Sequence, residues 1–346
     1  MEEKNLKRYL YIICLMFVCC MVTGCGAKEV SEDGRYIVFE YNDEKIYLDE
    51  VYIYAQTTID AYEQKYGEKV WNESIVTDDG LEMDVEDTAR KEIIADIVKT
   101  KTLITKADEY GISLTENEKA EQEQAADEFY AMLTDAQIEK VGMKRDTIAT
   151  VLKENLLAEK VYEYVMRDSN TEVSDEQARM TTFYDMFFEC YSKDQFGNIV
   201  VYSSDKIKEQ KEKAESAYKS IVAENDNPDL NIAFLGYTYD LKYAGSHTMG
   251  KEEIIDTYGQ AALDILYGME DGEISQVVET EYGYHIFQMT ALTDKEATAE
   301  NKAKLTEEAN QEYYANLITT WIAELDKGYS YSKRVDNEIY KKIVFE

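Results

Sequence analysis

The chain has 346 residues and a net charge of −34, because 71 acidic residues stand against 37 lysines and arginines. A protein this acidic repels nucleic acid, anionic lipid and anionic wall polymers, so we expect no nucleic-acid partner. The length predicts two domains. Proline occurs once, at Pro228, which favours long uninterrupted helices.

The first 24 residues have the three parts of a secretory signal peptide. They begin with a basic segment that contains three cationic residues, Lys4, Lys7 and Arg8. An almost wholly apolar run follows from Tyr9 to Val22, and it is too short to span a bilayer comfortably. Small residues then precede Cys25. This order is typical of a segment that is cleaved after export.

Cys25 lies at the end of a specific motif. The sequence Val22-Thr23-Gly24-Cys25 resembles the bacterial lipobox, whose cysteine is acylated, as with palmitate, and becomes the mature N-terminus. We therefore predict a lipoprotein signal peptide over 1–24 and a lipid anchor on Cys25 at the outer face of the cytoplasmic membrane. Stable anchoring needs more than one acyl chain. The alternatives are a plain secretory signal or a short membrane anchor.

Few residues remain that could form a disulfide or bind a metal. After loss of the signal peptide and lipidation of Cys25, Cys190 is the one thiol left, so no intramolecular disulfide is expected. The two histidines, His247 and His285, lie far apart in the sequence. With a single thiol they make a zinc site improbable. We predict neither a metal nor a cofactor.

Residues 25–35 predict a short polar tether, and a β-hairpin follows. Tyr36 to Tyr41 is a predicted strand, Asn42 to Lys45 a turn, and Ile46 to Leu48 the returning strand. Helical spacing of apolar residues then dominates to about residue 170. These elements assign a first helical segment to residues 36–175. Thr115 to Glu118 is a capping-box pattern that predicts the start of one of its helices.

A second domain is predicted over 176–292, where aromatic and β-branched residues become frequent. Ser174 to Gln177 forms another capping box at its start. One strand, three helices and two strands follow, at 181–191, 206–222, 231–235, 252–269, 276–279 and 284–292. This order predicts an α+β unit with a small antiparallel sheet.

The helical pattern resumes in residues 293–346. An amphipathic helix is predicted to end near Lys327, and a strand is predicted from Ile339 to Phe345. Because helical segments flank the α+β unit, we predict one helical domain built from both chain ends, with 176–292 inserted into it. The strands near the two chain ends are expected to pair. The fold class is α+β and mainly helical.

The segment from Gly272 to Phe287 is similar to the C-terminal signature of parvulin-type (PpiC) peptidyl-prolyl isomerases. It has Gly-Glu-Ile-Ser, a hydrophobic pair, Thr, Gly, Tyr, His and Ile at the spacing of that family. The strand, turn and long helices of the N-terminal half resemble the helical chaperone domain of SurA- and PrsA-like foldases. Together with the lipobox, the resemblance implies an extracytoplasmic foldase lipoprotein of a Gram-positive bacterium.

The resemblance also implies a set of catalytic residues. His285 matches the second of the two histidines of the family, and Thr280 matches the threonine of the same signature. Asp185 stands where the first histidine is expected, although a shift of one residue puts Tyr184 there. The alternative is that His285 only orders the sheet.

The same resemblance implies a pocket for the proline ring, built from Tyr184, Met186, Asp240, Ala262 and Phe287. Asp240, or else Lys242, falls near the position of a family cysteine or aspartate. The phenylalanine that packs on the proline ring aligns near Ala262. Much of the implied pocket is therefore substituted.

The leading hypothesis is a folding factor whose partners are unfolded or partly folded secreted proteins. The sequence leaves open whether X–Pro bonds are also isomerised, and it leaves the oligomeric state open. One alternative is a non-catalytic holdase or peptide-binding lipoprotein with a degenerate parvulin domain. Another is a solute-binding lipoprotein of an importer, which would need alternating βα units in two lobes.

Overall fold

A computed structural model describes residues 35–76, 82–167, 169, 171–223, 232, 241 and 243–345. The chain divides into two compact units. The helical unit holds the residues up to Ser169 together with those from Glu312 onward, and the sheet unit holds Asn170–Gln311. Cys25 lies outside the described residues. Within the described ranges, no helix is long and apolar enough to cross a membrane.

The helical unit begins with an antiparallel hairpin of strands β1 (Ile37–Tyr41) and β2 (Glu44–Tyr47). Its two turn residues, Asn42 and Asp43, both have positive φ, at 47° and 62°. This is the backbone that a two-residue type I′ turn requires, and asparagine and aspartate tolerate it. The predicted hairpin is confirmed.

Helices make up most of the rest of this unit. The longer ones are α1 (Leu48–Tyr66), α2 (Val85–Lys106), α3 (Glu116–Met132), α4 (Asp135–Val141) and α5 (Arg145–Arg167). A 3₁₀ turn (Glu68–Asn72) and a second small hairpin, β3 (Ser74–Val76) with β4 (Glu82–Asp84), connect α1 to α2. The predicted capping box opens α3, where Thr115 accepts from the Glu118 backbone and Glu118 accepts from Thr115.

The end of the chain packs into this helical core, but not as the predicted strand. Residues from Asn337 to Tyr340 form a short helix, whose first N–H groups donate to the Asp336 carboxylate. Buried Arg90 then donates to the carbonyl oxygens of Tyr340 (3.0 Å) and Ile343 (2.8 Å). The predicted strand from Ile339 to Phe345 is wrong, because a helix cap and an arginine take the backbone groups that a strand would pair.

The predicted pairing of terminal strands is also wrong. Strand β1 pairs with β2, and one backbone bond, from Asp336 N to Val38 O (2.7 Å), connects it to the C-terminal segment. Side chains from both ends nevertheless share one core, with Phe39, Tyr340 and Phe345 among its buried members. Apolar burial therefore joins the two ends of the chain where strand pairing was expected.

The sheet unit contains a four-stranded antiparallel sheet of β5 (Met180–Glu189), β8 (Tyr243–Gly250), β9 (Val278–Thr280) and β10 (Gly283–Ala291). The order across the sheet is β8-β5-β10-β9. Helix α6 (Asp175–Ala178) precedes β5 and begins with the predicted capping box at Ser174. A purely antiparallel sheet argues against the solute-binding alternative, which needs parallel βα units.

Helices cover both faces of this sheet. Helix α7 (Ser204–Ala223) packs on one face, and α8 (Lys251–Tyr258) with α9 (Gln260–Tyr267) packs on the other. The predicted helix over 252–269 is divided in two at Gly259, which has φ of 88°. Most of the helix predicted over 231–235 lies outside the described residues. The predicted mainly helical α+β class is confirmed.

Two elements of the sheet unit were not predicted. Strand β8 is rich in glycine, serine and threonine, and it is held by backbone pairing along β5 from Met180 to Phe187. The second is a hairpin of β6 (Tyr191–Lys193) and β7 (Ile199–Val201), which follows β5 directly. Strand β8 depends on context more than on strand propensity, whereas β7 consists of three β-branched residues that favour a strand.

Helix α10 (Lys295–Leu325) contributes residues to both units. The sheet unit extends to Gln311, whereas the predicted domain ended at 292, because the first half of α10 is tied to the start of β5. Thr298 Oγ1 accepts from Met180 N (3.0 Å), and Asn301 Nδ2 donates to Ala178 O (3.0 Å).

Candidate functional site

Asp185 and His285 form a buried pair on the central strands of the sheet unit. In the β5–β10 register, Asp185 is opposite Phe287 and Phe187 is opposite His285, so the two polar residues are diagonal neighbours on one face. His285 Nδ1 lies 2.9 Å and 3.1 Å from the two carboxylate oxygens of Asp185. Because a carboxylate accepts, this geometry favours a proton on Nδ1.

Thr280 completes a row of three polar side chains. Strand β9 places it opposite Gly283, and its Oγ1 lies 3.1 Å from His285 Nε2. The same hydroxyl is 3.3 Å from the carbonyl oxygen of Gly283, to which it can donate. The structure therefore brings together the three predicted catalytic residues, Asp185, His285 and Thr280.

Aromatic rings enclose the imidazole of His285. Phe187 stacks on it with ring centroids 4.4 Å apart, and Phe287 lies roughly parallel at 5.5 Å. Tyr258, the last residue of α8, meets it edge-on at 5.2 Å. His285 is only 5% exposed and Asp185 only 6%, so the polar row forms a floor with little access to water.

Tyr258 also contacts the polar row through its hydroxyl, which lies 3.4 Å from Asp185 Oδ2. Burial, and next the Asp185 carboxylate, raise the pKa of Tyr258. The phenol therefore stays protonated at neutral pH and points its donor at the carboxylate. The separation is long for a hydrogen bond between oxygens, so this contact is weaker than the Asp185–His285 pair.

The predicted ring-binding residues assemble around this floor only in part, since Phe287 lies beside His285 but others do not. Tyr184 and Met186 lie on the opposite face of the sheet, in the core beneath α7. This follows from strand alternation, and it excludes the alternative in which Tyr184 replaces Asp185 beside His285. Ala262 and Phe287 are both buried in the core beneath α8 and α9, at 1% and 0% exposure. Asp240 lies outside the described residues.

Two residues of the site were missed by the sequence analysis. Phe187 could have been found, because it is two residues after Asp185 on the same strand and must share its face. Tyr258 had no such signal, since its position depends on how α8 packs over the sheet. Cys190 is buried, and this burial raises the pKa of its thiol, which leaves it a poor nucleophile.

The site consists of a hydrogen-bonded polar row surrounded by apolar side chains. It contains no activated nucleophile among the described residues. Across the described ranges, no group of three or more His, Cys, Asp or Glu side chains is placed to hold a metal ion. Both ring nitrogens of His285 are engaged within the protein, Nδ1 with Asp185 and Nε2 with Thr280, so the imidazole is fixed in place. Chemistry that breaks no covalent bond needs only such a preorganised surface.

Comparison with known proteins assigns a class to the sheet unit. Residues 199–291 match the family model described as Rotamase, the PPIC-type PPIASE domain. The match begins in β7 and ends in β10, so it contains Thr280 and His285 but starts after Asp185. The sheet unit therefore carries a PPIC-type domain, and the predicted parvulin resemblance is confirmed.

Over most of its length the chain is similar to curated proteins named foldase protein PrsA. One, from Clostridium perfringens, is 26% identical over 293 residues, covering 79% of each chain. Another, from Clostridium botulinum, is 23% identical over 338 residues, covering 92% of this chain and 96% of the relative. The predicted PrsA-like character of the chain is confirmed.

A crystal structure of the peptidylprolyl isomerase PrsA from Bacillus cereus is also similar, at 18% identity and a TM-score of 0.29. It covers 78% of this chain and 95% of that one.

Proposed function

We propose that this protein is an extracytoplasmic folding factor that binds unfolded secreted polypeptides. The observation that carries the proposal is the row formed by buried Asp185 and His285 with half-buried Thr280 in the sheet unit, which carries the PPIC-type match. The relatives named foldases, which match along most of the chain, support it. The alternative function is that of a peptide-binding holdase whose parvulin-like unit has no catalytic role.

The reaction of a prolyl isomerase sets the requirements for the site. Rotation about an X–Pro bond faces a barrier of about 18–20 kcal/mol from amide resonance. A protein lowers it by binding the twisted amide more tightly than either planar form. The floor around His285 offers a fixed polar row and aromatic surface against which such a group can lie. No nucleophile and no leaving group are involved.

This site differs from the implied family site in two respects that predict weak catalysis. A carboxylate, Asp185, stands where a histidine is expected, and the small buried Ala262 stands where a ring-packing phenylalanine is expected. Each tenfold loss in rate corresponds to about 1.4 kcal/mol of transition-state stabilisation. Loss of two pocket groups is enough to bring the rate close to background.

We further propose that the two chain ends, predicted as residues 36–175 and 293–346, form a helical chaperone domain, and that the parvulin-like unit inserted from 176 extends beyond 292 to Gln311. The shared core of the two chain ends supports this arrangement. A helical domain with its own core can hold a client chain independently of isomerase chemistry.

We expect the purified protein to suppress aggregation of an unfolded client at stoichiometric concentration, and to accelerate X–Pro isomerisation weakly or not at all. A coupled peptide assay measures isomerisation, and light scattering of a refolding client measures holding. His285→Gln replaces the imidazole N–H beside Asp185 with an amide N–H and should leave both readouts within about twofold of wild type. His247→Gln, on edge strand β8, is the matched control.

Fast isomerisation that is lost in His285→Gln and kept in His247→Gln would overturn the holding proposal and make His285 a catalytic residue. Failure of the wild-type protein to suppress aggregation would remove the chaperone function altogether.

We also propose that Cys25 carries a lipid that anchors the protein to the outer face of the cytoplasmic membrane. The apolar run before Cys25 and its lipobox motif support this. Cys25→Ala should abolish incorporation of labelled palmitate and leave an unprocessed precursor. Cys190→Ala, which removes the buried thiol of the sheet unit, is the control and should remain labelled. Continued labelling of Cys25→Ala would contradict the anchor.

A further inference from the structure

The β6–β7 hairpin, residues 191–201, exposes an unusual amount of apolar side chain. Phe196 at its tip is 80% exposed, and the whole of β7 is exposed: Ile199 48%, Val200 48% and Val201 66%. Only eleven large hydrophobic residues are exposed in the described part of the chain, and four of them lie in these six positions. Contiguous exposed apolar surface of this kind marks interaction sites in soluble proteins.

The outer edge of β7 also offers unpaired backbone groups. Tyr202 N donates to Cys190 O (2.8 Å) and Asp194 N donates to Asn198 O (3.0 Å), which fixes the alternation of the ladder. By that alternation the N–H and C=O groups of Ile199 and Val201 point away from β6. Among the described residues no strand pairs with this edge.

The hairpin is continuous with the candidate site through aromatic contacts. The Tyr191 ring lies 5.7 Å from that of Tyr282 and 6.4 Å from that of Phe187. Phe187 in turn stacks on His285 at 4.4 Å. Tyr282 is itself exposed. A chain lying along β7 is therefore next to the floor on which an X–Pro bond of the same chain would rest.

We propose that the outer edge of β7 binds an extended apolar segment of an unfolded polypeptide by strand addition, as a third strand of the hairpin. That the partner is an unfolded polypeptide rests on the proposed function. That it binds by strand addition rests on the exposed edge of the hairpin. Strand addition obtains affinity from main-chain hydrogen bonds and selectivity from alternate side chains. β-Branched and aromatic client residues fit the exposed Ile199, Val200 and Val201 on both faces.

A second copy of this chain is a poorer occupant of the same edge. Strand β7 has three residues, so an edge-to-edge contact between copies buries far less than the ~1,000 Å² that a stable interface needs. Two chains of net charge −34 also repel each other. An unfolded client carries no comparable fixed charge and can use the aromatic surface near Tyr282 as well.

Two substitutions at Val201 distinguish the contribution of backbone pairing to client binding from the contribution of apolar contact. Val201→Pro removes an outward N–H that the hairpin itself does not use, and proline is tolerated on such an edge. Val201→Thr keeps the N–H and the β-branched shape. Affinity is measured for the full chain with a fluorescent, reduced and carboxymethylated client, which stays unfolded because its disulfides cannot re-form.

We expect Val201→Pro to weaken client binding about fivefold, because one backbone hydrogen bond with a net value of ~1 kcal/mol is lost. Val201→Thr should weaken binding about twofold. Equal affinity of wild type and Val201→Pro would overturn strand addition while leaving the folding function intact. No client binding by wild type would overturn the proposed function as well.

Photocrosslinking identifies the occupant. With p-benzoylphenylalanine in place of Val201, illumination should link the protein to the client. The same group in place of Val222, which is 45% exposed near the end of α7 in the sheet unit and outside the proposed edge, is the control and should crosslink at least ~5-fold less to a client bound through one added strand. Crosslinks from position 201 mainly to a second copy, or to another segment of the same chain, would overturn the proposal.

Discussion

Replacing Lys101 with methionine is expected to destabilise the helical unit by about 3–5 kcal/mol, the cost of leaving buried charge unpaired. The Lys101 side chain is 4% exposed, and its Nζ lies 2.8 Å from Glu44, 3.1 Å from Glu50 and 2.8 Å from Glu154. One cation thus offsets three carboxylates from β2, α1 and α5. Methionine fills much of the same volume but leaves these carboxylates without a counter-charge.

The penalty should grow with pH. Burial raises the pKa of Glu50 to about 7 even though Lys101 partly opposes the shift. Burial alone would lower the pKa of Lys101. The Glu50 and Glu154 carboxylates raise this pKa by more than burial lowers it, so the amine is charged. A carboxyl whose pKa is raised in the folded state binds protons more tightly there than in the unfolded chain, so stability falls as pH rises through that range. Without Lys101 the pKa values of Glu50 and Glu154 rise further, because Lys101 lowers both of them. The loss of stability in Lys101→Met is therefore largest at high pH, where these carboxyls must carry charge.

Tryptophan fluorescence isolates this effect, because the two tryptophans, Trp71 and Trp321, both belong to the helical unit. Urea unfolding of Lys101→Met should show a small loss of stability at pH 5 and the full loss at pH 8. The control is Lys99→Met, two residues away, where a side chain that is 40% exposed pairs with Asp96. That variant should lose less than about 1 kcal/mol at either pH. Similar losses for both variants would show that the buried cluster has no special role.

Gly283→Ala is expected to cost the sheet unit about 3 kcal/mol and to displace the floor of the candidate site. A Cβ at Gly283 would collide with the carbonyl oxygen of Phe188 and lie 2.8 Å from Phe187 Cε2 and 3.1 Å from Cys190 N. The first and last of these are backbone atoms, so β5 itself must move. Phe187 stacks on His285, and its displacement is transmitted directly to the imidazole.

Hydrogen–deuterium exchange read on peptides from β5 and β10 measures this loss, since exchange of core strands follows their opening free energy. Gly245→Ala is the matched control: a Cβ at this position of β8 meets no atom within 4 Å. Its exchange should match wild type to within about 0.5 kcal/mol. If Gly283→Ala exchanged as slowly as Gly245→Ala, the close approach of β10 to β5 would be refuted.

Local features of this chain could be predicted where residues close in sequence determine the backbone conformation. The capping boxes at Thr115 and Ser174 lie where the pattern placed them, since each is a contact between residues three apart. The turn at Asn42 and Asp43 follows from residues that accept positive φ. The motif around His285 predicted its strand and its neighbour Thr280, because both lie within a few residues of one hairpin.

Long-range packing determines which partner each of these elements contacts. Residues 339–343 became a capped helix and turn because Arg90, about 250 positions away, binds their carbonyl oxygens. Tyr258 reaches Asp185 only through the packing of α8 over the sheet. The helical segments, the acidic surface and the parvulin-like hairpin could be predicted from the order of the residues, since periodicity, charge and short-range spacing are local properties. The partners of Asp185, Lys101 and the chain end depend on contacts between distant residues, and only the folded packing determines those.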